Sequence, residues 1–332
     1  MVKNILITGG LGFLGSNLGI SLTNDGHNVD IMDIADNHRN IIGYEDKFKI
    51  YQSDISDVST WGDIDFSKYD VIYHLAANVS HIKAEKDPYL DVNSNIIGTI
   101  NLLEAVKELK NKPRFIYACS RSIYGKPITA DYVVDESHPT DPLDSYGISK
   151  LAAEKYIQKY SYHCDIPAIS FRMANLVGER QGLHTREYQM ISWLFRCISQ
   201  DEPVGFWGTG LQTRDFLYVG DAVRIYKTAG LNSDVWETSP LFDFYNIGGG
   251  EYCTWLSAIQ TCAKVLNKTA TVKFEAYPPE RIKLENEHSR LDSTKLVCRF
   301  HDLPQTMLST AFSNMAEYYK GKWENYLHNG IL

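Results

Sequence analysis

The chain has 332 residues, 44% of them hydrophobic, enough for one large core or two packed together. A formal net charge of −8 excludes nucleic acid as a general partner, because a phosphate backbone demands a basic surface. The six cysteines are scattered without a Cys-x-x-Cys pair, so neither a metal site nor a disulfide framework is expected.

The first ten residues lack a secretory apolar run, and no later stretch approaches the roughly 20 apolar residues of a membrane helix. A soluble, cytoplasmic chain with no membrane partner is the expectation. Short runs rich in β-branched residues recur at Lys3–Thr8, Val29–Asp33, Phe48–Gln52, Asp70–Leu75 and Arg114–Ala118. Segments with helical spacing alternate with them, notably Phe13–Thr23, Ser94–Leu109 and Ser145–Tyr162. That alternation predicts a doubly wound α/β fold with a parallel sheet covered on both faces. Ile166–Arg172 reads as one more strand, after which the pattern loosens into a helix near Glu187–Ser199 and a short strand, Val204–Trp207. The expected organisation is a cofactor-binding Rossmann domain over 1–172 and a substrate-binding lobe mainly over 173–332. No linker divides them, and returns to the main sheet are expected within 215–250, from Asp221–Ala229 or Phe242–Ile247.

Thr8-Gly9-Gly10-Leu11-Gly12-Phe13-Leu14-Gly15 follows the first strand directly and opens a helix. Glycines at 9, 12 and 15 allow a tight turn and a close backbone approach to a pyrophosphate, which the helix N-terminus faces. Phe13 and Leu14, in the first turn, belong to the same site. Asp33 ends the next strand, where a carboxylate accepts from the adenosine ribose hydroxyls and repels a 2′-phosphate. NAD is therefore favoured over NADP, with Arg39 a few residues on as the feature that leaves NADP open.

Tyr146-Gly-Ile-Ser-Lys150 opens another helix, with Tyr146 and Lys150 one turn apart on one face. A lysine beside a phenol stabilises the phenolate, which makes tyrosine a usable general base. Ser120 falls at the carboxyl end of the strand that begins at Arg114, the end where ligands bind in such sheets. It stands where it can hydrogen-bond the substrate hydroxyl that Tyr146 deprotonates.

Together these motifs resemble the extended short-chain dehydrogenase/reductase family, in its nucleotide-sugar epimerase and dehydratase branch. The resemblance also takes in Asp54-Ile55, His74-Leu75-Ala76-Ala77, Asn95-x-x-Gly98-Thr99, Ser120 to Gly125 and Asp135-Glu136. It implies a Ser120, Tyr146, Lys150 catalytic triad, with Tyr146 and Lys150 also touching the cofactor. Asp54 and Ile55 are implied near the adenine, Leu75, Ala76 and Ala77 along the cofactor, and Asn95 shaping the site. For a nucleoside-diphosphate sugar it implies Asn175, Arg214 and Arg281 at the diphosphate, with Ser80 and Ser122 as further substrate contacts. The sequence around Arg281 lacks the usual Gly-Asp that follows. A homodimer is also implied, meeting through the helices that contain Asn95 to Leu109 and Tyr146 to Tyr162, and the apolar stripe Ile96, Thr99, Ile100, Leu103, Val106 along the first suggests the contact.

Which reaction follows depends on the residues beside the triad. The family's 4,6-dehydratases carry Asp-Glu after the catalytic hydroxyl residue, because elimination of water needs an acid and a base. This chain has Arg121-Ser122. The expected activity is therefore NAD-dependent epimerisation of a nucleoside-diphosphate hexose, at C4, through a transient 4-keto sugar. A 4,6-dehydratase or 4-keto-deoxysugar reductase is the alternative enzyme, and a non-catalytic NAD-binding regulator the alternative of another class. Arg121 faces a carboxylated or otherwise modified sugar, or packs outward.

Overall fold

A computed structural model of the chain describes residues 1–129, 132–184, 190–237, 240–278, 282 and 288–327. Seven parallel strands form the main sheet: β1 (Asn4–Thr8), β2 (Asn28–Asp33), β3 (Phe48–Gln52), β4 (Val71–His74), β5 (Arg114–Ser120), β6 (Ala168–Met173) and β10 (Phe242–Ile247). Their spatial order is β10-β6-β5-β4-β1-β2-β3. The order reverses between β1 and β4, which opens a crevice at the carboxyl ends of those strands. Ile5, Leu6 and Ile7 are fully buried, as are Val71, Ile72 and Tyr73. Strands covered on both faces read as unbroken apolar runs for this reason.

The helices Phe13–Asn24 and Val219–Leu231 pack together, and Gly98–Val106 lies beside Ser145–Cys164. Of the two segments expected to return to the sheet, Phe242–Ile247 joins it as its edge strand beside β6, and Asp221–Ala229 falls within the helix Val219–Leu231. A second sheet gathers β7 (Asn175–Val177), β9 (Thr213–Tyr218), β11 (Glu251–Thr254) and β13 (His288–Ser289). β8 (Val204–Trp207) pairs in parallel with β12 (Val272–Glu275). These pieces carry their own core, in which Phe195, Trp255, Phe312 and Tyr319 are buried.

The segment expected to be helical from Ser94 begins instead as a π-helical turn, Val92–Ile97, that passes into the α-helix Gly98–Val106. Single π turns inside helices cluster at functional sites, and this one carries Asn95. The apolar stripe on this helix faces inward: Thr99, Leu103 and Val106 are buried against the sheet, while Ile96 and Ile100 are half-buried. It therefore covers the protein's own core and offers little surface to a second chain. No helix among the described residues is long and apolar enough to cross a membrane.

Candidate active site

The glycine turn after β1 is closed by contacts that only glycine permits. Gly9 has φ +71°, and a Cβ there would lie 2.7 Å from the Ala76 nitrogen. A Cβ on Gly15 would lie 2.3 Å from the Gly9 oxygen. Gly12 caps the helix that Phe13 and Leu14 begin, so first-turn N–H groups face outward from the turn, where an anion binds. Asp33 accepts from the backbone N–H of Leu11 at 2.9 Å and of Ala35 at 3.0 Å, one on each oxygen. Each carboxylate oxygen keeps a further lone pair for a ribose hydroxyl. Burial raises its pKa, against the pull of these backbone bonds. Asp54 binds Ser56 through its carboxylate, and Ile55 is buried where a side chain at Gly98 would collide with it at 2.5 Å. This cradle fits a dinucleotide: the glycines close the turn tightly at a helix N-terminus whose N–H groups are open, with a ribose acceptor at the end of the next strand.

The crevice floor is tied together through His74, which is fully buried. Its Nδ1 lies 2.8 Å from Thr8 Oγ1 and its Nε2 lies 2.8 Å from Thr99 Oγ1. Thr99 donates its hydroxyl hydrogen to the Asn95 carbonyl, so it accepts from Nε2–H and the ring's proton sits on that nitrogen. Thr8 in turn donates to Nδ1 and accepts from the Ala76 N–H. Burial pushes the ring's pKa down to about 3, which keeps it neutral and the direction of each bond fixed. One chain of bonds thus locks the glycine strand, the Leu75–Ala77 segment and the π turn to each other.

Asn95 is spent entirely on the protein. Its Oδ1 accepts from the Asn78 N–H at 2.8 Å, and its Nδ2 donates to Ser149 Oγ at 2.8 Å and to the Asn78 carbonyl at 3.2 Å. Ser80 is also fully buried, and its hydroxyl caps the helix His81–Lys86 by accepting from the Lys83 N–H. This placement gives Ser80 a capping role where a substrate contact was expected.

At the end of β5, Ser120 Oγ lies 3.2 Å from both Ser122 Oγ and the Ser122 nitrogen. It stands beside the Tyr146 phenol. Burial raises the phenol's pKa, with the Ser120 hydroxyl opposing. Lys150, one turn along, is buried with its Nζ 4.2 Å from the centre of the Tyr117 ring. Burial brings its pKa down to about 8, against the charges of Cys119, Asp91 and Glu154. The structure therefore brings Ser120, Tyr146 and Lys150 together at the mouth of the crevice.

Around them lie groups that the sequence motifs do not announce. Asp144 caps the helix of Tyr146 by accepting from the Gly147 N–H at 2.8 Å, and its other oxygen is 2.5 Å from His81 Nδ1. The Asp-Ser-Tyr-Gly stretch carries the signal for that cap, an aspartate three residues before the bonded N–H. Arg121 donates through Nε to Asn175 Oδ1 at 3.0 Å, so Arg121 and Asn175 meet. Arg214 is buried and donates to the Thr213 carbonyl. Its neighbour Asp215, buried and bonded by the Leu291 and Gly249 N–H groups, is raised to about 6 by burial. Arg281 lies outside the described residues.

The sequence profile of the NAD dependent epimerase/dehydratase family matches residues 5–248. A putative UDP-glucose 4-epimerase of Methanocaldococcus jannaschii is 33% identical over 250 residues, covering 74% of this chain and 77% of that protein. A dTDP-D-glucose 4,6-dehydratase of Bos taurus is 30% identical over 259 residues, covering 74% and 68%. Among solved structures, a UDP-glucuronic acid 4-epimerase from Bacillus cereus, in complex with UDP-glucuronic acid and NAD, superimposes with a TM-score of 0.81 at 28% identity. That match covers 96% of this chain and 99% of the other.

Proposed function

We propose a reaction for this chain from the premise that it belongs to the NAD-dependent epimerase/dehydratase family. It epimerises a nucleoside-diphosphate hexose at C4 through a transient 4-keto sugar. The observation that carries this reading is the turn after Ser120. It holds Arg121 and Ser122 where elimination of water needs carboxylates, and Arg121 is bonded to Asn175. The carboxylates near Tyr146 have other partners. Asp144 caps a helix and binds His81, and Asp91 accepts from Asn78 and Ser149. Without an acid and a base for dehydration, removal of hydrogen at C4 and its return to the opposite face is the chemistry left.

Bound NAD supplies the hydride acceptor and donor. Gly9, Gly12 and Gly15, with the N–H groups of Phe13 and Leu14, hold its pyrophosphate. Asp33 takes the adenosine ribose, Asp54 and Ile55 flank the adenine, and Leu75, Ala76 and Ala77 line its path. Tyr146 accepts the C4 hydroxyl proton and returns it, Ser120 orients that hydroxyl, and the Lys150 ammonium stabilises the phenolate. Asn175 and Arg214 serve the sugar nucleotide's diphosphate, and Asn95 holds the crevice in shape through Asn78 and Ser149. The chain works as a homodimer that meets through the outward apolar residues of the turn Val92–Ile97 and of the helix Ser145–Cys164.

The test is incubation with a panel of nucleoside-diphosphate hexoses, read by mass spectrometry and NMR. Unchanged mass with an inverted C4 is expected. Loss of the mass of water would make the chain a dehydratase, and no turnover of any member with bound NAD would favour a regulator.

A further inference from the structure

Arg121 follows Ser120 in the turn Arg121–Tyr124 that ends β5, and its side chain crosses to the start of β7. Its Nε donates to Asn175 Oδ1 at 3.0 Å. Burial works to raise the carboxyls of Asp144, at the head of the Tyr146 helix, and of Asp215, on β9, and the Arg121 cation is among the groups that draw both back. The guanidinium therefore stands between the proton-transfer end of the crevice and the second sheet. There β7 runs parallel to β9 with Asn175 opposite Phe216. Side chains alternate along a strand, so Arg214, two residues before Phe216, shares a face with Asn175.

A side-chain amide has an accepting oxygen and a donating nitrogen, and a half-turn about its last bond exchanges them. A guanidinium has donors only. With Oδ1 held by Arg121, the group left over is Nδ2, whose two N–H bonds have no partner among the described residues. The opposite orientation would set those N–H groups against the N–H of a cation and turn a carbonyl oxygen toward phosphate, two repulsions at once. We infer that Arg121 is a positioning residue for the diphosphate: it locks the Asn175 amide so that the NH2 group, and not the oxygen, is presented to the phosphate oxygens. This rests on the reading of Asn175 as a diphosphate contact and names what orients that contact. An unlocked amide must be ordered each time the ligand binds, which costs affinity, whereas a locked one meets the anion with its donors already aimed. The chain neighbour of Ser120 thus sets the group that grips the other end of the same substrate.

The experiment is titration calorimetry of the NAD-loaded enzyme with each common nucleoside diphosphate as probe, which carries the diphosphate without a hexose, in a double-mutant cycle of Arg121 and Asn175. Arg121→Met keeps most of the side chain's length and removes its donors. It should weaken binding about three- to tenfold, the effect of freeing one side chain that binding must then order. Arg121→Lys, again a cation that only donates, should recover much of that loss. Asn175→Ala should weaken binding about tenfold, as the loss of a bond to a charged group does, and in that background Arg121→Met should add nothing. NAD affinity and Tm should stay with the parent's in each variant. An Arg121→Met defect that keeps its full size in the Asn175→Ala background would overturn the inference, because the cation would then act on the phosphates directly. Arg121→Met binding as the parent does, or a defect that Lys leaves untouched, would overturn it as well. Should Asn175→Ala itself bind like the parent, or the parent bind no probe, the diphosphate reading of Asn175 fails, and the role of Arg121 with it.

Discussion

The Lys150 ammonium lies 4.2 Å from the centre of the Tyr117 ring, buried one helical turn from Tyr146. Burial lowers the pKa of Lys150 to about 8 and raises that of the phenol. Lys150 therefore carries its charge below about pH 8, where the ammonium opposes the burial that disfavours the phenolate. Loss of the Tyr146 proton sets the acid limb of kcat/KM, and the ammonium draws that limb down. Lys150→Met leaves the phenol's burial unopposed and should move the limb upward. At neutral pH the loss should be about tenfold or more, because the population of phenolate there falls roughly tenfold for every pH unit the limb climbs. A pH–rate profile checks this, and an unmoved limb would mean that Lys150 does not act on the phenol.

Asp33 is the acceptor at the end of β2, held by the Leu11 and Ala35 N–H groups. Asp33→Ala should weaken NAD binding on the order of tenfold, the worth of about 1.4 kcal/mol in a lost charge-assisted bond. NADP should lose less, because the repulsion of its 2′-phosphate goes too. Titration of the two cofactors against the variant measures the ratio. An unchanged preference would mean that Asp33 serves only the two backbone groups.

The main-sheet strands, the glycine turn and the spacing of Tyr146 and Lys150 were legible because each is a local pattern: apolar runs, a motif between a strand and a helix, one helical turn. What stayed hidden depends on tertiary pairing. His81 and Asp144 are far apart in sequence, and nothing local says that their helices dock. Arg172 stands three residues before Asn175, and nothing local says that its guanidinium is taken up by Glu154 and Tyr124. The stripe from Ile96 to Val106 has the period of a helix face, and period alone does not say whether that face meets the sheet or a second chain.

The Glu154–Arg172 pair is a buried ion pair that ties the helix Ser145–Cys164 to β6, the strand next to the sheet's β10 edge. Glu154 accepts from Arg172 Nε at 3.1 Å and Nη2 at 2.6 Å, and from Ser170 at 2.7 Å, with both side chains almost wholly enclosed. Glu154→Ala strands a guanidinium in the core and should destabilise the protein by about 3–5 kcal/mol. Glu154→Leu with Arg172→Met removes both charges and should cost much less. Urea unfolding of the two variants makes the comparison. Equal losses would show that packing, not charge, is what the site needs.

With the expected stripe turned inward, the homodimer proposal falls to the apolar residues that do face out: Ile97 on the π turn, and Ile148, Tyr156 and Tyr162 on the longer helix. Ile148 is 55% exposed, so a charge there costs the monomer little. Ile148→Glu should therefore leave the circular dichroism unchanged while shifting the sedimentation coefficient from dimer to monomer. A parent protein that sediments as a monomer at micromolar concentration removes the dimer altogether.

Tyr146→Phe tests the chemistry itself. The phenol oxygen is the proposed acceptor for the C4 hydroxyl proton, and the carbon cannot readily give up hydride while that proton stays. Phenylalanine keeps the ring against His81 and removes only the oxygen, so the packing at 4.5 Å between the two rings has no cause to change. Loss of a positioned base costs on the order of a hundred- to ten-thousandfold in rate. Ser120→Ala should be milder, because Ser120 orients the hydroxyl without taking the proton. The measurement is a single turnover with an accepted nucleotide sugar, following the nicotinamide absorbance, with NAD binding measured separately by titration. Retained NAD affinity with lost reduction is the expected result. Reduction by Tyr146→Phe at near the parent rate would place the base elsewhere, and His81, oriented by Asp144 beside the same ring, would be the first group to test.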